Sequence, residues 1–194
     1  AKVRSFELLD VQKLAWAFST LIVDDLPLFQ ALAREAIAKQ QEVTPQGMSN
    51  LAWAFATLAM YEAELFGTIG LRAVEELGEF TPQGLSNFLW AFATVSAEGP
   101  HLAFSAVCQE SLGRLAEFNP QELSNLAWAA AKLQARSAAF PLLRAIAGSE
   151  LFASRSLTHI DVSNLAWAFA TLEVDDCGFV ADCVQKSCLD TGDH

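Results

Sequence analysis

The chain has 194 residues, 53% apolar and 18% charged, which is enough length and apolar content to bury a sizeable core and too apolar for a disordered chain. Twelve Lys and Arg against 23 Asp and Glu leave a net charge of −11, which repels a phosphate backbone and counts against free nucleic acid as the default partner. The longest apolar runs, such as 51–60, stop well short of the roughly 20 residues a membrane span needs. No targeting segment is visible at the N-terminus. Because the chain begins at Ala1 without an initiator Met, localisation is not read from it directly.

Taken in chain order, one ten-residue segment keeps returning: "QKLAWAFSTL" at 12–21, "SNLAWAFATL" at 49–58, "SNFLWAFATV" at 86–95, "SNLAWAAAKL" at 124–133 and "SNLAWAFATL" at 163–172. The tryptophans inside it, Trp16, Trp53, Trp90, Trp128 and Trp167, are separated by 37, 37, 38 and 39 residues. A period of that size marks a solenoid of helix pairs. Nine residues before each of the last four tryptophans stands a helix-starting residue, Thr44, Thr81, Asn119 or Thr158, and Pro45, Pro82 and Pro120 occupy the first helical position in three copies. Glu122 and Asp161 can complete a capping box with Asn119 and Thr158, whereas Gly47 and Gly84 cannot.

All length variation falls after these first helices, where turns absorb insertions. The second helices have their own openings: Pro27 before "LFQALAREAIAKQQ", Gly99-Pro100 before "HLAFSAVCQESLGRLAEF", and Pro141 at the start of "PLLRAIAGSELFAS", with weaker copies at 62–78 and 178–189. The pairs Asp24-Asp25 and Asp175-Asp176 read as turn and helix-start chemistry. No segment alternates as a strand does. The expectation is an all-α chain, a single α-solenoid domain over 1–194 of five stacked antiparallel helix pairs, about ten helices. The repeats fall near 5–42, 43–79, 80–117, 118–156 and 157–194. First helices, apolar nearly all round, should be sandwiched between neighbours; second helices, which carry most of the charge, should form the wetter layer.

On each first helix a stripe recurs: Gln46, Asn50, Trp53, Thr57; Gln83, Asn87, Trp90, Thr94; Gln121, Asn125, Trp128, Lys132; and Asn164, Trp167, Thr171 beside Ile160. Stacked, it could line a groove in which Trp rings stack bases or peptide side chains and Asn and Thr offer hydrogen bonds. Sameness across copies favours packing instead, with Trp as core anchor and the amides of Asn50, Asn87, Asn125 and Asn164 bonded to a neighbouring loop or helix as a ladder. A core Trp90 implies a cost of about 3–5 kcal/mol for Trp90→Ala. Partner specificity is then expected where the copies differ, at Asp10, Gly47, Gly84, Glu122 and Asp161 on the first turn and at Thr20, Thr57, Thr94, Lys132 and Thr171 near the end.

No catalytic, cofactor-binding or metal-ligating pattern emerges. His101, His159 and His194 stand in no nucleophile or metal motif. Cys177, Cys183 and Cys188 lack C-x-x-C spacing, and Cys177 and Cys188 would lie about 16 Å apart on one helix, so these thiols and Cys108 are expected to stay reduced and pack as small apolar groups. The chain reads as a non-enzyme without a cofactor.

The elements "PQGLSNFLWAFATV" and "PQELSNLAWAAAKL", in repeats of 37–39 residues, resemble the octotricopeptide and similar heptatricopeptide repeats of algal and protist organelle proteins across essentially the whole chain. The resemblance implies an α-solenoid sent to a chloroplast or mitochondrion, where such proteins bind RNA in transcript maturation, translation or ribosome assembly. Only Lys13 and Lys132 lie on the first helices here, so the charge points to a non-catalytic scaffold or protein-interaction subunit of a larger organellar complex, photosynthetic, respiratory or ribosomal. The apolar, Ala-rich surface of the end helices suits docking. An organellar RNA-binding repeat protein is the alternative.

Overall fold

The computed structural model describes residues 6–96, 101–134, 136–149, 157–174 and 177–189, without the side chains of 101, 102, 177 and 186–189. Among the described residues ten α-helices follow one another: α1 (Leu8–Thr20), α2 (Leu26–Ala38), α3 (Pro45–Thr57), α4 (Ala63–Glu75), α5 (Pro82–Thr94), α6 (His101–Gly113), α7 (Pro120–Lys132), α8 (Arg136–Ala147), α9 (His159–Thr171) and α10 (Cys177–Leu189). No strand occurs among the described residues. Odd-numbered helices pack side by side in one layer, α2, α4, α6 and α8 in a second, and each odd helix also touches the even one that follows it. This is an α-solenoid.

The helix starts follow from the sequence. Thr44, Thr81, Asn119 and Thr158 each accept a hydrogen bond from the backbone N–H three residues on, and Asn119–Glu122 and Thr158–Asp161 form full capping boxes. The residue before each cap, Val43, Phe80, Phe118 or Leu157, is buried, as is the residue four beyond the cap, Met48, Leu85, Leu123 or Val162; these are the positions of a hydrophobic staple. Asp25 caps α2 through the N–H of Leu28 at 3.0 Å, while Asp175 and Asp176 lie outside the described residues.

The odd helices end alike. Ile22, Ala59, Ser96, Gln134 and Glu173, each six residues after a Trp, have φ between 51° and 54°, the left-handed conformation usually reserved for glycine. The amides of Val23, Met60 and Val174 then reach back to Phe18, Phe55 and Phe169 at 2.9 Å, the six-to-one bond of a Schellman motif. Because the same turn recurs, each second helix returns against its first in the same way.

One helix start differs from its sequence reading. Pro141 does not open α8 but lies inside it, because the apolar face formed by Ala139, Leu142, Leu143 and Ile146, all fully buried, runs straight across the proline. An interior proline costs about 3 kcal/mol, an amount that burial of four apolar side chains exceeds. Pro141 is itself exposed, which leaves the carbonyl that loses its helical partner accessible to water.

Layers are joined by rings and the odd helices by serines. Phe29 of α2 meets Phe55 of α3, and Phe66 of α4 meets Phe92 of α5, edge to face at 4.9 and 5.0 Å. Ser49 Oγ donates to Gly84 O at 3.0 Å, Ser86 Oγ to Glu122 O at 3.1 Å, and Ser124 Oγ to Asp161 Oδ1 at 2.8 Å, so a buried serine ties each of α3, α5 and α7 to the first turn of the next odd helix. Ser163, the same residue on α9, is exposed and donates to its own His159 carbonyl. Ala170 is likewise exposed there, although its counterparts Ala56, Ala93 and Ala131 are buried; at the other end Leu9, Leu21, Ile22 and Leu26 are exposed.

Candidate interaction groove

The odd-helix layer is not covered all round. Along the N-terminal halves of α1, α3 and α5 runs an open groove of about 900 Å³, lined by Gln12, Lys13 and Trp16 from α1, Gln46 and Asn50 from α3, and Gln83 and Asn87 from α5, with Glu79 at its rim. The stripe read from the sequence thus faces this groove, at least through its amides. The side-chain amides of half-buried Asn50 and Asn87 make no hydrogen bond within the described structure, and neither do those of the exposed Gln46 and Gln83. The expected amide ladder is present only between Asn164 Nδ2 and Asn125 Oδ1, at 3.5 Å. For Asn50 and Asn87 the ladder reading is corrected: the inter-helix bond belongs to Ser49 and Ser86, one residue earlier, which point into the stack while the amides point out of it.

Trp53, Trp90 and Trp128 are half-buried and pack against the core, whereas Trp16 and Trp167 at the two ends are 53% and 43% exposed. The rings of Trp128 and Trp167 lie 6.2 Å apart and tilted by 34°, which continues the surface stripe from α7 to α9. These tryptophans therefore anchor the layer and present ring area to solvent at once. Charge is sparse: Lys13 is the single cation lining the groove, and Lys132 is exposed further along the layer.

Residues 1–191 match the RNA-editing substrate-binding complex 6 protein family. The chain belongs to that family. No curated protein matches it significantly.

In this RNA-editing substrate-binding complex 6 family member, the positions that vary between repeats separate into two groups. Gly47, Gly84 and Asp161 are buried against the neighbouring odd helix, Gly84 while still lining the groove. A Cβ on Gly47 would come within 2.4 Å of Gln12 Nε2, because Gln12 stands in the first repeat where later repeats have the shorter serine. Asp161, 3% exposed, accepts from Ser124 Oγ, from Thr158 N at 2.9 Å and from Thr158 Oγ1 at 2.7 Å. Half-buried Glu122 closes its capping box by accepting from Asn119 N at 2.8 Å, and Asp10 is exposed. At the other end of the helices, Thr20, Lys132 and Thr171 are exposed and Thr57 and Thr94 half-buried; Thr20 and Thr57 donate to the carbonyls of Trp16 and Trp53 at 2.8 Å, while Thr94 Oγ1 is buried without a partner.

Sequence reasoning passed over the serines. They recur in the same dipeptide as the asparagines, and their two faces, one residue or 100° apart, would have separated stack from groove. Among the described residues no three His, Cys, Asp or Glu side chains come together as a metal site, and no helix is long and apolar enough to cross a membrane. Cys108 is buried, and burial pushes its thiol up to about 12. Cys183 is buried too, and the side chains of Cys177 and Cys188 lie outside the description.

Proposed function

We propose that the chain is a non-catalytic α-solenoid subunit, a single domain, that holds protein partners within an RNA-editing substrate-binding complex. The observation that carries this reading is the pairing of a family match over nearly the whole chain with a groove that presents amides and the ring of Trp16 but one cation. Of the two organelles implied by the octotricopeptide-like elements, an RNA-editing family favours the mitochondrion. A chloroplast, or a photosynthetic, respiratory or ribosomal assembly, gains no support from the match. Kinship with octotricopeptide proteins themselves remains a proposal, based on the Pro-Gln, Ser-Asn and Leu-Ala-Trp-Ala elements.

The test is affinity purification of the tagged chain before and after nuclease treatment. Stoichiometric protein partners that survive nuclease support the scaffold, and loss of every partner on nuclease treatment refutes it. The second reading, direct RNA binding, draws on the same ring-and-amide stripe, since aromatic faces stack bases. Its mark would be tight binding of single-stranded RNA by the isolated chain that weakens steeply with salt.

A further inference from the structure

We infer that the groove over α1, α3 and α5 takes an extended, basic segment of a partner polypeptide and grips it by its main chain; this rests on the scaffold reading above. The amides are the first argument. Gln46 and Asn50 on α3 recur as Gln83 and Asn87 on α5, all four lack hydrogen-bond partners, and each carries both a donor and an acceptor. A surface that repeats the same amides in each repeat is matched to a ligand whose own groups repeat regardless of sequence. A polypeptide main chain is such a ligand, with one N–H and one C=O per residue. Packed helices lie about 8–10 Å apart and extended chain advances about 3.3 Å per residue, so one amide set meets every third residue or so of a bound strand.

Charge selects the side chains. Glu79 gives the groove lining an acidic edge with no ion-pair partner, and Glu42 is exposed at the equivalent position of the preceding repeat. A Lys or Arg on the bound segment would pair with that edge and could lie on the open face of Trp16. Phosphates fit poorly. Lys13 is the lone lining cation, the net charge is −11, and one N–H at each of the N-termini of α3 and α5 is already taken, by Thr44 Oγ1 on Gly47 N at 3.2 Å and Thr81 Oγ1 on Gly84 N at 3.0 Å.

The experiment measures fluorescence anisotropy of four labelled probes with the full chain: a short alternating Lys-Ala peptide, the same peptide N-methylated at alternate residues, an alternating Glu-Ala peptide, and a U-rich single-stranded RNA. The Lys-Ala peptide should bind, its N-methylated form about tenfold more weakly, and the Glu-Ala peptide not at all. Asn50→Ala and Asn87→Ala should each weaken binding about fivefold to tenfold, the equivalent of one or two net hydrogen bonds, with the thermal transition unmoved. Glu79→Gln should flatten the salt dependence. Equal binding of the methylated peptide, or Asn variants without effect, would overturn main-chain recognition. RNA binding tighter than the peptide and lost in Asn50→Ala would assign the groove to bases instead. If no peptide binds while nuclease-resistant partners persist in the purification, this inference fails and the scaffold stands; loss of those partners takes the scaffold down as well.

Discussion

Ser124 and Ser163 occupy the same place in the same Ser-Asn-Leu-Ala-Trp-Ala motif, yet the fold assigns them different work, and replacing each with Ala should separate the two. Ser124 Oγ donates at 2.8 Å to the carboxylate of Asp161, which is 3% exposed. A hydrogen bond to a charged group contributes about 1.5–3 kcal/mol, and because Thr158 N and Oγ1 still serve Asp161 after the change, the lower half of that range applies to Ser124→Ala. In a chain of this size each kcal/mol moves the midpoint by about 2–4 °C, so Ser124→Ala should lower Tm by roughly 3–8 °C. Ser163 is exposed and bonds only to its own helix; since Ala forms helix better than Ser, Ser163→Ala should leave Tm within about 2 °C or raise it slightly. Ser86→Ala, whose lost acceptor is a neutral carbonyl, should fall between them at about 0.5–1.5 kcal/mol. Thermal and urea denaturation followed by circular dichroism measure all three. Equal losses from Ser124→Ala and Ser163→Ala would refute the serine ladder as the link between repeats.

Trp90 is half-buried, so Trp90→Ala should cost about 1.5–2.5 kcal/mol in urea unfolding rather than the roughly 3–5 of a full core tryptophan, and the more exposed Trp16 about 1. Ala59→Gly removes a Cβ from a left-handed residue at φ 53°; a relief of about 1–2 kcal/mol against glycine's entropy of about 0.5–1 should raise stability by several tenths to 1 kcal/mol, and by more at β-branched Ile22. Cys108 should resist a thiol reagent at mildly alkaline pH in the folded chain and react once it is unfolded, as read by peptide mass spectrometry. Because burial raises its pKa from 9.0 to about 12, the stability this thiol contributes is complete below pH 9 and is lost as pH rises towards 12; Cys108→Ala should flatten that part of the stability curve relative to the parent chain.

How much of this was legible in the sequence depends on which residues decide locally. Thr44, Thr81, Asn119 and Thr158 settle their helix starts with bonds three residues long, so their positions and the tryptophan period were enough to define the stack. Pro141 looked equally local and was not, because Ala139, Leu142, Leu143 and Ile146 bury a face on both sides of it and tertiary burial outweighs the proline. The groove was half legible. Gln46, Asn50, Gln83 and Asn87 of the angular stripe line one groove with Trp16, but whether an amide is satisfied depends on the neighbouring repeat, and no periodicity reveals that Ser49 takes the contact and leaves the Asn50 side chain without a partner. Left-handed Ile22, Ala59, Ser96, Gln134 and Glu173 carry no common residue type, so nothing in their chemistry announced them.

The sameness of the copies therefore has two causes on adjacent positions. At Ser49, Ser86 and Ser124 the residue is repeated because the acceptor on the next helix is repeated, and the first turn is free to vary as Gly84, Glu122 or Asp161 since either a backbone or a carboxylate oxygen can receive the hydroxyl. At Asn50 and Asn87 no internal acceptor explains the repetition. Stability alone would tolerate other residues at half-exposed helix positions, all the more because Asn is a poor helix former. In the strand-binding proposed for the groove, a bound main chain would offer Asn50 and Asn87 the same N–H and C=O groups at each repeat, which a row of differing bases would not.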